Sequence, residues 1–289
     1  MAHHKIDNGR KKSWRSRVKN FFARKQAPMR IDLYASCWNE ERIIPFFLRH
    51  YEPVVDRIII FDDGSTDRSR ELLAASPKVD LRRLRQGESS ILMQMEELNH
   101  CWKESRGHAD WVFICDMDEQ IYHHRDLRVY LEQCKNAGIT ILNPVGVDIV
   151  SVDFPPLDSI LTETVRLCVR TFLQDKIAVF DPSAIDEINY TPGRHLAKPI
   201  GRLVFPGERE VKLVHYKHLG LDYVQRRTKE LQSRKTHFDR ERGWGLHYYR
   251  PPDDIRIDFD KMLKEAMDIS LIGKETPPVL EPGESQRSL

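Results

Sequence analysis

Between residues 31 and 142 short apolar runs alternate with stretches of helical period, and that alternation leaves few folds open. Residues 30–37, 56–61, 79–84, 109–115 and 139–142 read as strands. Between them, residues 39–51, a stretch opening at Ser65 or Thr66 and running through Leu72 and Leu73, residues 91–104 and residues 127–137 read as helices, the first with Asn39 as N-cap. The Ile58-Ile59-Ile60-Phe61 run carries no polar interruption, as a parallel strand covered on both faces requires. Five strands with helices between them predict an α/β fold, a Rossmann-like doubly wound sheet with helices on both faces. In such a sheet ligands lie beyond the carboxyl ends of the strands.

That rule gathers three polar clusters on one edge: Asn39-Glu40 after the first strand, Asp62-Asp63-Gly64-Ser65 after the second, and Asp116-Met117-Asp118 after the fourth. Gly64 permits a tight turn there, and the next helix starts beside it. Two carboxylates at i and i+2 behind a buried strand repel unless a cation compensates. Oxygen ligands of this kind suit Mg²⁺ or Mn²⁺, which bind diphosphate oxygens alongside one or two carboxylates.

The ordered set Asn39-Glu40, Phe61-Asp62-Asp63-Gly64-Ser65-Thr66-Asp67 and Cys115-Asp116-Met117-Asp118-Glu119-Gln120 resembles the inverting family 2 glycosyltransferases of GT-A fold, in the bacterial branch that carries N-E, D-D-G-S-T-D and D-x-D-E. Lys198-Pro199-Ile200 and Val214-His215-Tyr216 look like the later K-x-I and H-Y segments of that branch. The resemblance implies a mixed GT-A sheet and transfer of a sugar from a nucleoside-diphosphate sugar, a UDP-sugar by family analogy, to a hydroxyl of a glycan, lipid-linked or other acceptor, with inversion. A hexosyltransferase-like role in polysaccharide biosynthesis follows from the same analogy. It further implies that Asn39, Glu40, Asp62, Asp63, Gly64, Ser65, Asp116 and Lys198 form the nucleotide-sugar site. Asp116, Asp118 and His215 would hold Mn²⁺ or Mg²⁺. The family supplies its general base after the fifth strand from an E-D or related motif, and no E-D dipeptide stands there. Asp148, Asp153, Asp181, Asp186 and Glu187 fall in that region, with Asp148 and Glu187 ranked first as the catalytic base.

Residues 212–218 read as a strand on which His215 and His218, three apart, would face opposite sides. His123-His124 beside the D-x-D reads as a surface turn, with an approach to a metal as the alternative. Gly193-Arg194-His195 with Lys198 offers cations to a diphosphate or an acidic acceptor. Residues 221–234 and 258–269 read as amphipathic helices, and 242–249 as aromatics that either pack or form a sugar platform. The expected organisation is a basic arm over 1–30, one catalytic domain over 31–272 (nucleotide half 31–142, acceptor half 143–272), and a flexible tail over 273–289.

Composition matters at the N-terminus. Residues 8–31 hold nine Lys or Arg and no acid, which leaves −7 on the rest of a chain of net charge +2. A basic arm on an acidic body argues against nucleic acid as partner. With Trp14, Val18, Phe21 and Phe22 at helical spacing, residues 10–25 suit an anionic membrane surface, against a solvated tail as the alternative. The five cysteines form no C-x-x-C pair, and no apolar segment reads as a signal peptide or a span, so the expectation is a cytoplasmic protein, peripheral on the cytoplasmic face of the membrane if the arm binds it. A dehalogenase-like phosphohydrolase would carry its D-x-D after the first strand, not the fourth. A sugar nucleotidyltransferase would show a Gly-rich basic loop where Ser36-Cys37-Trp38-Asn39-Glu40 stands. A non-catalytic nucleotide- or glycan-binding relative stays open as the alternative.

Overall fold

The computed structural model describes residues 28–276. In chain order the elements are β1 (Ile31–Cys37), α1 (Ile44–Tyr51), β2 (Arg57–Asp62), α2 (Ser69–Ala74), β3 (Val79–Arg83), α3 (Ser90–His100), β4 (Trp111–Ile114), β5 (Glu119–Tyr122) and α4 (Leu127–Asn136). They continue as β6 (Ile141–Leu142), β7 (Val145–Ser151), α5 (Leu161–Thr164), β8 (Leu167–Arg170), β9 (Val179–Phe180), β10 (Ile185–Glu187), β11 (Ile200–Gly201), β12 (Lys212–Leu219), α6 (Leu221–Ser233), α7 (His237–Glu241), α8 (Pro252–Glu265) and β13 (Met267–Asp268). The main sheet has the order β3-β2-β1-β4-β9-β6, with β1 to β4 parallel and β9 antiparallel to both neighbours. The second sheet runs β13-β8-β7-β12-β5.

Strand alternation explains why both faces of the main sheet are buried. Leu33 and Ala35 of β1, Ile58 and Ile60 of β2, and Trp111 and Phe113 of β4 pack on one side with α1, α2 and α4. Tyr34, Ile59, Phe61, Val112 and Ile114 point to the other side, against α3, Trp102 and Phe180. The expected doubly wound α/β sheet is present, and it is mixed. The strand read at 139–142 does not follow β4 directly, because β9, a two-residue strand with no readable period, is inserted antiparallel between them. Strand β5, immediately after the D-x-D, pairs antiparallel with β12 and so brings residues nearly one hundred positions apart side by side.

Other expectations are corrected. Asn39 does not cap α1. It takes a left-handed φ of 50°, which asparagine tolerates, and the helix begins only at Ile44, with a proline in its first turn. The helix read at 258–269 starts six residues earlier, at Pro252, where proline and the acids Asp253 and Asp254 favour a helix N-terminus. His123 is buried under Tyr130, their rings stacked at 4.4 Å, and is no surface turn. A bulge in β12 sets His215 opposite Asp148 and His218 opposite Val150, so simple alternation fails between the two histidines. The tail is tied down at its start: Glu275 pairs with Arg170 at 2.6 Å and Arg209 at 3.0 Å. The rest of the tail, and the arm through residue 27, lie outside the described residues. All five cysteines are buried as free thiols. No helix among the described residues is long and apolar enough to cross a membrane.

Candidate active site

The loops after β1 and β2 are latched to one another. The Asn39 N–H donates to Ser65 Oγ (2.9 Å), the Glu40 N–H to Ser69 Oγ (2.7 Å), and the Thr66 N–H to Asn39 Oδ1 (2.7 Å). Asp62 closes its own turn by accepting the Ser65 N–H at 3.2 Å, around Gly64 at φ 76°. The Asn39 and Ser65 side chains therefore shape this edge. Glu40, Asp62 and Asp63 supply its charge, with Asp62 and Asp63 both buried.

Helix α6 brings cations to those acids. Arg227 pairs with Glu40 and donates to the Trp38 and Asn39 carbonyls at 3.0 and 3.1 Å. Arg234, just past the helix, pairs with Asp63 and lies 4.0 Å over the Trp38 ring. Burial pushes the Glu40 carboxyl up to about 8, with Arg227 opposing and the nearby Asp118 and Asp116 charges reinforcing.

Beneath the D-x-D sits a buried ion cluster. Glu119 is wholly buried, and its carboxylate meets Lys176 Nζ and Arg194 Nη2, each at 2.5 Å. It also accepts the Asp116 N–H at 2.9 Å. Burial alone would raise the Glu119 carboxyl, but Arg194 and Lys176 hold it well below the ordinary carboxylate range. Arg194 reaches in from a left-handed φ of 58° and also binds the Ile114 carbonyl (2.8 Å) and Asp116 (2.7 Å). This corrects the reading of Arg194 as a free cation for a diphosphate: it is a buried brace under the loop. Asp116 is likewise engaged by that brace, whereas Asp118 is not.

Asp118 faces β12 instead. Its Oδ2 lies 3.3 Å from His215 Nε2, and His215 Nδ1 lies 2.6 Å from Asp148 Oδ1. Burial disfavours the imidazolium, yet the two carboxylates raise the His215 pKa to about 10. A carboxylate oxygen and an imidazole nitrogen at 3.3 Å fit a divalent ion, since adjacent octahedral ligands at about 2.1 Å stand about 3.0 Å apart. The Lys217 and Lys235 amino groups lie 5.8 and 5.2 Å from the centre of the Tyr248 ring, and burial and the nearby Asp118 charge push the pKa of its phenol up.

Three expected site residues lie elsewhere or play other parts. Glu187 forms an ion pair with Lys103 at 2.5 Å, on the two-stranded β10-β11 ribbon, and makes no contact with the Asp118 cluster. Lys198 is exposed and held through its backbone to Ile188 and Asn189, with no ion pair to the cluster among the described residues. Asp148 does reach the cluster, bonded to His215. Sequence reading missed Lys176, Gln174, Arg227 and Arg234. No local pattern marks them, because each arrives from a loop or helix far along the chain.

A doubly wound mixed sheet whose acid-rich carboxyl edge carries a D-x-D facing a histidine defines a GT-A type glycosyltransferase fold. The sequence profile of glycosyl transferase family 2 matches residues 35–185, just over half of the chain, and the chain belongs to that family. No curated protein matches it. Among solved structures, glucosyl-3-phosphoglycerate synthase from Mycobacterium tuberculosis in complex with Mn²⁺, UDP and glucosyl-3-phosphoglycerate is 19% identical, over 41% of this chain and 44% of that one, with a TM-score of 0.28. The same synthase with phosphoglyceric acid is 20% identical, over 41% and 44%, with a TM-score of 0.29. A 4-diphosphocytidyl-2C-methyl-D-erythritol synthase from Anaerococcus prevotii is 12% identical, over 54% and 71%, with a TM-score of 0.28. The chain spans less than half the length of the mycobacterial synthase, and family membership rests on the profile.

Proposed function

We propose that this chain is a metal-dependent glycosyltransferase that moves a sugar from a nucleoside diphosphate to an acceptor hydroxyl with inversion at the anomeric carbon. The observation that supports this reading most is Asp118 facing His215 across 3.3 Å, on the same edge as Glu40, Asp62 and Asp63. Asp118 and His215 would hold Mn²⁺ or Mg²⁺, and the ion when bound would neutralise charge on the departing diphosphate. Lys217 and Lys235, without a carboxylate partner among the described residues, add cationic charge around Tyr248. Glu40, Asp62 and Asp63 meet the nucleoside, a uridine by family analogy. The acceptor is a glycan or a lipid-linked hydroxyl. The basic arm, residues 10–25, holds the enzyme at an anionic membrane surface on the cytoplasmic side.

The test is turnover. Incubated with Mn²⁺, an acceptor extract and UDP-, GDP-, CDP- or TDP-sugars in turn, the protein should release one nucleoside diphosphate, and proton NMR should show the product with inverted anomeric configuration. Retention of configuration would contradict the mechanism. Absence of release from every donor would contradict the activity.

A further inference from the structure

His215 touches more than its ligand partner, and the contacts on its other nitrogen require a proton there. Nδ1 has two neighbours, Asp148 Oδ1 at 2.6 Å and the Gln174 side-chain amide at 3.0 Å. An ionised carboxylate only accepts, so at 2.6 Å it requires a proton on Nδ1. A Gln174 N–H facing that same N–H would clash, so the amide must present its oxygen. With the oxygen toward His215, the Nδ1–H is shared between two acceptors.

We infer that Asp148 and Gln174 are positioning residues that together fix the protonated Nδ1 of His215, leaving Nε2 as the nitrogen aimed at Asp118 and at any ion bound there. The pair comes from two elements. Asp148 sits opposite His215 in the β7–β12 register, and Gln174 ends the short 3₁₀ turn Phe172–Gln174 that lies against β7. Gly146 makes this possible: a Cβ there would stand 2.4 Å from the Gln174 backbone carbon and 2.5 Å from its Cβ, so only glycine lets the turn press so close. Asp148 thus does for His215 what outer carboxylates do for metal-bound histidines generally, orienting the ring and raising its basicity. This role replaces that of general base for Asp148, and it rests on the reading of Asp118 and His215 as ligands.

The experiment has two arms on the full chain. Nitrogen-15 NMR of the histidine rings without metal, at a pH high enough that the His215 ring is neutral, reads the remaining proton directly: it should sit on Nδ1 in the wild type, and Asp148→Ala or Gln174→Leu should shift the Nδ1 resonance. Mn²⁺ affinity, measured by electron paramagnetic resonance with nucleoside diphosphate present, should weaken about 10- to 100-fold in Asp148→Ala and by less in Gln174→Leu. Asp148→Asn, which keeps an acceptor oxygen, should recover much of the loss. An unprotonated Nδ1 in the wild type overturns the inference. So does Asp148→Ala that stops turnover while Mn²⁺ affinity stays within twofold of wild type, the result expected of a general base. If Asp118→Ala and His215→Ala bind Mn²⁺ as the wild type does, the ligand reading itself falls, and the NMR arm still reports separately on Asp148 and Gln174.

Discussion

Replacing Arg194 by methionine removes one arm of the buried cluster under the D-x-D while keeping most of the side-chain volume. The Arg194 side chain is 3% exposed and the Glu119 side chain 0%, so water cannot enter to solvate what is left. Removing one partner of a buried ion pair costs about 3–5 kcal/mol. Here Glu119 keeps Lys176 at 2.5 Å and the Asp116 N–H, and Asp116 is 38% exposed and can rehydrate, which puts the charge term at the low end. The Ile114 carbonyl also loses its Arg194 donor, adding about 1 kcal/mol. The expected loss is roughly 3–4 kcal/mol, read as a lower urea midpoint at pH 7 and a fall of about 10 °C in Tm. Combining it with Glu119→Gln, which removes the uncompensated charge, should recover about 1–3 kcal/mol relative to simple addition. The sign with pH is fixed as well. Glu119 titrates well below its unfolded value of 4.5, so its contribution is full above that pH and is lost as pH falls toward the folded value. A loss under about 1 kcal/mol for Arg194→Met, or a double variant that merely adds, would refute the brace.

Two further outcomes are expected. Burial lowers the His50 pKa to about 4 from 6.5, with its Nε2 bonded to the Ile121 carbonyl, so the unfolded chain binds the extra proton between those values. Stability should therefore rise with pH from about 4 to 6.5, and His50→Gln should flatten that slope in urea titrations across the window. Glu187→Gln should keep full turnover and change stability by no more than about 1 kcal/mol, because it breaks only a half-exposed pair with Lys103; a large loss of kcat would return Glu187 to the site.

The sheet and its acidic edge were legible because they rest on local signals. The Ile58-Ile59-Ile60-Phe61 run, the glycine turn at Gly64 and the two acids after β4 each declare themselves within six residues. The second half was less readable, since β8 and β9 are short and the pairing of β7, β8 and β9 is set by partners that local pattern does not reveal. Proline and acid at the start of α8 were a readable signal, and the period starting at Asp258 hid it. His215 is singled out by the resemblance of Val214-His215-Tyr216 to the family's H-Y segment, and the fold brings it to Asp118. Arg194 illustrates the opposite limit: nothing local separates a cation that awaits a phosphate from one buried against Glu119, because desolvation is decided by what packs around it. Arg227 and Arg234 have the same origin, as helix α6 reaches the N-terminal loops only in three dimensions.

The central claim is that Asp118 and a divalent ion join a nucleoside diphosphate to this edge. The direct measurement is calorimetry with UDP, GDP, CDP and TDP, each with and without Mn²⁺, on the wild type and on Asp118→Ala. The account predicts that one nucleotide binds only with Mn²⁺ and that the substitution abolishes its heat. Metal-independent binding, binding that survives Asp118→Ala, or no binding by any of the four would contradict it.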